Sequence, residues 1–110
     1  MTDADKRAIN KKIQHELARL RQDIECLTEL TDPAALEGLD EVARMDAIVS
    51  KSVHESALKT AKNRVAALEY SMKRLAEDPE FGYCVDCGDE IPLQRLLSMP
   101  EASRCVNCAE

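Results

Sequence analysis

Two Cys-x-x-Cys pairs, Cys84-Val85-Asp86-Cys87 and Cys105-Val106-Asn107-Cys108, stand 17 residues apart near the end of a 110-residue chain. Each such turn brings two thiolates to one side of a tight loop. Two turns supply four sulfurs, which is the donor set of a tetrahedral zinc site. Gly88, directly after the first pair, permits the positive φ that a knuckle of this kind needs. A redox dithiol of the thioredoxin type would require a βαβ context, and the surrounding sequence has none. A zinc ion held by four cysteines has no open coordination position, so its role is structural. Residues 78–110 are also too few to build a core alone, and metal binding is expected to supply much of their folding energy. Between the pairs, Ile91, Leu93, Leu96 and Leu97 read as a short helix, with Phe81 and Tyr83 beside it.

The remainder of the chain reads as two long helices. From Asp3 to Leu30 there is neither Gly nor Pro. Ile13, Leu17, Leu20, Ile24 and Leu27 recur at steps of four and three, the spacing of a coiled-coil seam. Thr2 and Asp5 form a variant capping box at the start. Asp32-Pro33 suits a cap followed by proline at a first helical position, and Gly38 can end such a turn. A second helix is expected from a cap at Asp40 to Glu77, with Pro79 as its stop. Its C-terminal half has a seam of Leu58, Ala61, Val65, Leu68, Met72 and Leu75. Its N-terminal half would use Val42, Met45, Ile48 or Val49, and Ser52, with a slip in phase around residues 50–56. Two such helices fold back antiparallel. A symmetric fold-back places Ile24 near Ala47 and Ile13 near Leu58. The expected fold is therefore all-α: a two-helix coiled-coil hairpin over 1–77, with its tip near 31–47, and a four-cysteine zinc finger over 78–110.

Composition removes several function classes. Three aromatic residues and no Trp are too few for a base-stacking surface or a usual β-sandwich. With 15 basic and 21 acidic residues the formal charge is −6, which disfavours non-specific DNA binding. No apolar run approaches a membrane span, and the acidic N-terminus does not read as a secretory signal. A cytoplasmic location is expected, and a reducing compartment favours metal binding over disulfides. No Ser/His/Asp set, nucleophile elbow or phosphate loop is present, so an enzyme is not expected. His15 and His54 lie far from the cysteine pairs and read as structural. Cys26, beside Leu27, reads as a packed thiol.

Charge is unevenly placed. Residues 29–46 hold Glu29, Asp32, Glu37, Asp40, Glu41 and Asp46 against Arg44 alone, a net of −5. Residues 47–77 have a net of +3, and the finger, 78–110, a net of −5 before its thiolates are considered. A finger of that sign is a poor reader of DNA.

The run Phe81-Gly82-Tyr83-Cys84-x-x-Cys87-Gly88-x-x-Ile91, then Arg95-Leu96, Pro100 and Cys105-x-x-Cys108, resembles the DksA/TraR zinc-finger signature. The helical hairpin before it is similar in architecture. The resemblance implies a regulator of bacterial RNA polymerase that inserts its coiled coil into the secondary channel and does not bind promoter DNA. It also implies that acidic residues at the tip approach the active centre. The family's tip motif is Asp-x-x-Asp-x-Ala. Its nearest counterpart here is Arg44-Met45-Asp46-Ala47, with Asp40 six residues before Asp46. The acid-plus-alanine theme carries over onto Asp46 and Ala47, with Asp40 as a further candidate. Longer members act with ppGpp and continue into a further helix, whereas this sequence stops two residues after Cys108, leaving ppGpp dependence open.

The expected cofactor is one structural Zn²⁺ on Cys84, Cys87, Cys105 and Cys108. The expected partner is RNA polymerase, with no nucleic acid, no membrane and a monomeric chain. An adaptor hairpin for another protein, or a thiol or zinc sensor, is the alternative.

Overall fold

The computed structural model describes residues 1–109, with the side chains of Ala35 and Ala109 excepted. Helix α1 spans Asp3–Leu30 and helix α2 spans Glu41–Glu77. Between them lies one 3₁₀ turn, Pro33–Leu36. Two short helices follow: α3, Leu93–Ser98, and α4, Val106–Ala109. Among the described residues there is no strand, only an isolated antiparallel bridge between Tyr83 and Glu90.

The helix ends are set by local chemistry. The Thr2 hydroxyl accepts from the Asp5 N–H at 3.1 Å, and the Asp5 carboxylate accepts from the Thr2 N–H at 3.3 Å. This reciprocal pair satisfies two otherwise orphaned donors. Asp32 caps the 3₁₀ turn by accepting from Ala34 N–H at 3.0 Å, and Pro33 occupies the position where no N–H is needed. Asp40 caps α2 by accepting from Ala43 N–H at 2.8 Å. At the far end of α2, Arg74 reaches Asp78 at 3.2 Å.

The chain forms two compact units. The first combines residues 1–17 with 66–110; the second is residues 18–65. In the first unit, Ile9, Ile13, Leu68, Leu96 and Pro100 are fully buried, joined by Leu75, Phe81 and Ile91. These side chains come from both long helices and from the finger, so the finger shares its core with the ends of the hairpin. Glu16 is buried there too and pairs with Lys12 at 3.3 Å. In the second unit Leu20 and Ala61 are buried, while Ile24, Leu27, Leu58 and Val65 are half-buried. The expected α1 seam and the C-terminal α2 seam are therefore the inward rows.

Two sequence expectations need correction. Val42, Met45, Ile48, Val49 and Ser52 do not continue the α2 seam. All are exposed, and the half-buried positions are Ala43, Ala47, Lys51 and His54. Stepping back from Leu58 by four and three reaches these positions without any slip, because the helix keeps its regular period. The register also differs. Leu20, Cys26 and Leu27 share a groove with Val53, Ala57 and Ala61, so α1 near residue 24 lies alongside a part of α2 well beyond Ala47. The symmetric fold-back treated the link as a simple turn. The link instead has its own 3₁₀ turn and half-buried Leu36 and Leu39.

Candidate metal centre and acidic tip

The four paired cysteines come together. The Sγ atoms of Cys84, Cys87, Cys105 and Cys108 all lie within 4.8 Å of one another, and those of Cys87 and Cys105 are 3.5 Å apart. A tetrahedron with Zn–S bonds of about 2.3 Å has edges of about 3.8 Å, so the cluster fits one Zn²⁺. Neither histidine nor Cys26 joins any metal-competent cluster among the described residues.

The backbone holds each pair. Tyr83 and Glu90 close a small loop around the first knuckle, with Cys84 N–H donating to Asp89 O at 2.8 Å and Gly88 N–H to Cys84 O at 3.0 Å. Gly88 adopts φ +78°, a left-handed conformation that costs an L side chain roughly 1–2 kcal/mol. In the second knuckle, Cys108 N–H donates to Cys105 O at 3.1 Å as α4 begins. Two contacts join the knuckles, and a third ties α3 to the second knuckle. Val85 N–H donates to Ser103 O at 2.9 Å, Arg104 meets Asp86 at 3.0 Å, and Arg95 donates to Arg104 O at 3.2 Å. The knuckles are thus fixed relative to each other by groups other than the sulfurs. Sequence reading missed the Arg104–Asp86 pair; their placement beside Cys105 and Cys87 was the available signal.

The thiols are electrostatically unequal. Backbone N–H groups of Cys87 and Cys105 aimed at Cys84 hold its thiol down at about 6, against the opposing effect of burial. Cys108 is pushed well above the ordinary thiol range by the neighbouring sulfurs, Cys105 first. Cys87 is also raised: the Asp89 N–H favours its thiolate, but Cys105, Cys84 and burial outweigh it. Four sulfurs this close cannot all ionise without a cation among them. A divalent ion supplies that charge, and binding it displaces the remaining thiol protons.

Below the knuckles, Phe81 is buried with the Arg74 guanidinium 5.7 Å from its ring centre. Ile91 and Leu96 are buried as well, whereas Tyr83 and Leu93 are partly exposed. Asp78, at the end of α2, is held below the usual carboxylate range by the Glu80 N–H and then by Arg74.

The structure places the tip candidates at the start of α2. Asp46 is exposed and Ala47 half-buried. Asp40 is exposed as well, but its carboxylate is engaged as the helix cap. Gly38 has φ +76° ahead of it, which turns the chain into the cap. Cys26, expected as a packed thiol, is exposed at the groove of the second unit. The helical turn at Leu27 carries Cys26 away from the inward row. No helix among the described residues is long and apolar enough to cross a membrane.

Residues 79–110 match the family of the prokaryotic dksA/traR C4-type zinc finger. The fold as a whole is similar to a solved structure of the transcription factor DksA2 from Pseudomonas aeruginosa, with a TM-score of 0.74 and 23% identity. That likeness covers 99% of this chain and 83% of the other. No curated protein matches the sequence.

Proposed function

We propose, from a dksA/traR-type C4 finger carried on a DksA2-like fold, that this protein regulates transcription by binding bacterial RNA polymerase in the cytoplasm. The hairpin enters the secondary channel and brings the acidic turn at Asp40, Asp46 and Ala47 towards the active centre. Cys84, Cys87, Cys105 and Cys108 hold one structural Zn²⁺. The finger works as a folded base, and no step of a chemical reaction belongs to this chain.

The observation that carries this reading is the division between the closed thiolate cluster and the open acidic turn. The cluster offers no coordination site for a substrate, and the finger's net acidity disfavours DNA. The exposed carboxylate of Asp46 contributes little to folding. Beside the Mg²⁺ and basic groups of a polymerase active centre the same charge acts strongly, because a bound divalent cation dominates the local field.

An in-vitro transcription assay at matched polymerase occupancy tests the reading. Asp46→Asn should retain binding and lose most regulation, and Asp40→Asn should keep the helix cap while removing one charge. If both variants, singly and together, regulate as wild type does, the tip mechanism fails. If the wild-type chain does not bind polymerase, the hairpin serves another protein.

A further inference from the structure

The finger's two basic residues meet at one junction. Residues 78–110 hold seven acidic side chains and two basic ones, Arg95 and Arg104. The Arg104 Nε meets the Asp86 Oδ2 at 3.0 Å, and the Arg95 Nε donates to the Arg104 carbonyl at 3.2 Å. One residue earlier in each segment, the Val85 N–H donates to the Ser103 carbonyl at 2.9 Å. Residues 85–86 and 103–104 thus lie side by side and are joined by two adjacent rungs. The rungs are interleaved with the cysteines: Val85-Asp86 sits between Cys84 and Cys87, and Ser103-Arg104 directly precedes Cys105. One rung is a backbone hydrogen bond that most residue types would make. The other depends on the identity of two side chains, which are 55% and 48% exposed. An ion pair that exposed adds little to a fold on its own. Its position gives it a second effect. Four thiolates outnumber the charge of one divalent cation, so the loaded centre is a net anion. Arg104 offsets the Asp86 carboxylate and places a cation beside that centre.

We propose that Arg104 and Asp86 are positioning residues of the metal centre: their ion pair latches the two knuckles together and slows the loss of zinc. Release requires the two Cys pairs to part. Parting frees the 17-residue segment between them, which chain entropy favours. Both rungs oppose that separation. In so small a module metal binding and folding are one free energy, so whatever holds the folded finger together also tightens its hold on the ion. Neither residue belongs to the metal-competent cluster, and the pair acts through the cysteines it positions. The two partners are not equal. Removing Arg104 leaves the Asp86 carboxylate unpaired beside an anionic centre. Asp86→Asn keeps an acceptor for Arg104 and keeps the Arg104 cation near the thiolates. The inference rests on the metal centre and not on the polymerase reading. It makes the finger a persistent base rather than an exchanging site, and so sets it against the zinc-sensor alternative.

Zinc transfer from the full loaded chain to an excess of a chromophoric pyridylazo chelator tests the proposal, under reductant and without polymerase. The zinc content of every protein is measured first and brought to one ion per chain. At low ionic strength Arg104→Ala should release zinc about fivefold faster than wild type, and Asp86→Asn no more than about twofold faster. Exchanging the two ends, Asp86→Arg with Arg104→Asp, rebuilds the pair. The exchanged chain should release zinc about fivefold more slowly than Arg104→Asp alone. In about 1 M salt the gap between wild type and Arg104→Ala should shrink to within about twofold, because the screening length falls to about 3 Å. Helix content by circular dichroism should be the same in all loaded proteins, since both side chains lie on the surface. An Arg104→Ala chain that releases zinc at the wild-type rate overturns the proposal. An exchanged pair no better than Arg104→Asp alone overturns it as well. So does an equal acceleration by Arg104→Ala and Asp86→Asn that salt leaves unchanged, which would reduce the pair to ordinary packing. A wild-type chain that takes up no zinc overturns the metal centre and the proposal together. Polymerase plays no part in the assay, so failure of the polymerase reading cannot mimic any of these results.

Discussion

The two units of the chain differ sharply in what they bury. Among the described residues, the unit made of residues 1–17 and 66–110 holds every fully buried large side chain, together with the thiolate cluster. The unit of residues 18–65 buries Leu20 and Ala61, and it leaves Val42, Met45, Val49 and Val53 in solvent. The first is built to hold a shape. The second spends its sequence on helix continuity, caps and exposed charge, and its local stability should be correspondingly low. A long helix can run past its best-packed stretch because, once nucleated there, each added residue contributes a backbone hydrogen bond internal to the helix.

Removing the metal should give the largest effect. Chelation, or Cys84→Ser, should release the ion and unfold the finger, because structural zinc contributes about 10 kcal/mol or more to small metal-dependent modules. Loss of hydrogen-exchange protection should begin at residues 81–108, with helical signal largely kept in residues 18–65. A uniform loss across both units would break the comparison.

Core truncation comes next. Leu96→Ala, at a fully buried position, should cost about 2–5 kcal/mol in urea unfolding of the zinc-loaded protein. Val49→Ala, at an exposed position, should stay within about 0.5 kcal/mol. Similar costs at the two sites would show that the row around Val49 is packed in solution.

The glycines sharpen the contrast. Gly82 has φ +97°, and an added Cβ would stand 2.6 Å from the Met1 Cε. Met1 can move aside, so Gly82→Ala should cost about 1–2 kcal/mol, mainly as backbone strain. Gly38 has φ +76° with open space around it, so Gly38→Ala should cost only the strain, about 1 kcal/mol. The cap at Asp40 has an effect of similar size to that at Gly38. Asp40→Ala should fray the first turn of α2 at about 1 kcal/mol, and Asp40→Asn should cost little, because asparagine caps as well. Protection of the amides at Ala43 and Arg44 reads this directly.

Much of this architecture was legible in the residues. The span of α1, the cap at Asp40, the end of α2 at Glu77 and the meeting of the four sulfurs all follow from signals carried within a few residues. What escaped depends on relations between distant segments. Val42 and Met45 look like seam residues because they are apolar at seam spacing. Whether such a row faces inward depends on the phase set by Leu58 and Ala61 and on where α1 runs out. The register failed for a related reason: the link's 3₁₀ turn changes where α1 lies along α2. The Arg104–Asp86 clasp joins segments 18 residues apart and leaves no periodic trace.

Under the proposed function the open unit reaches the polymerase active centre while the packed unit stays outside. Replacing the active-centre Mg²⁺ of purified polymerase with Fe²⁺ makes it a local source of hydroxyl radicals that cut nearby backbone. End-labelled protein bound to that polymerase should be cut within residues 38–48 and spared at residues 84–108. Cleavage around the cysteines, or an uncut tip on a demonstrably bound chain, would contradict the account.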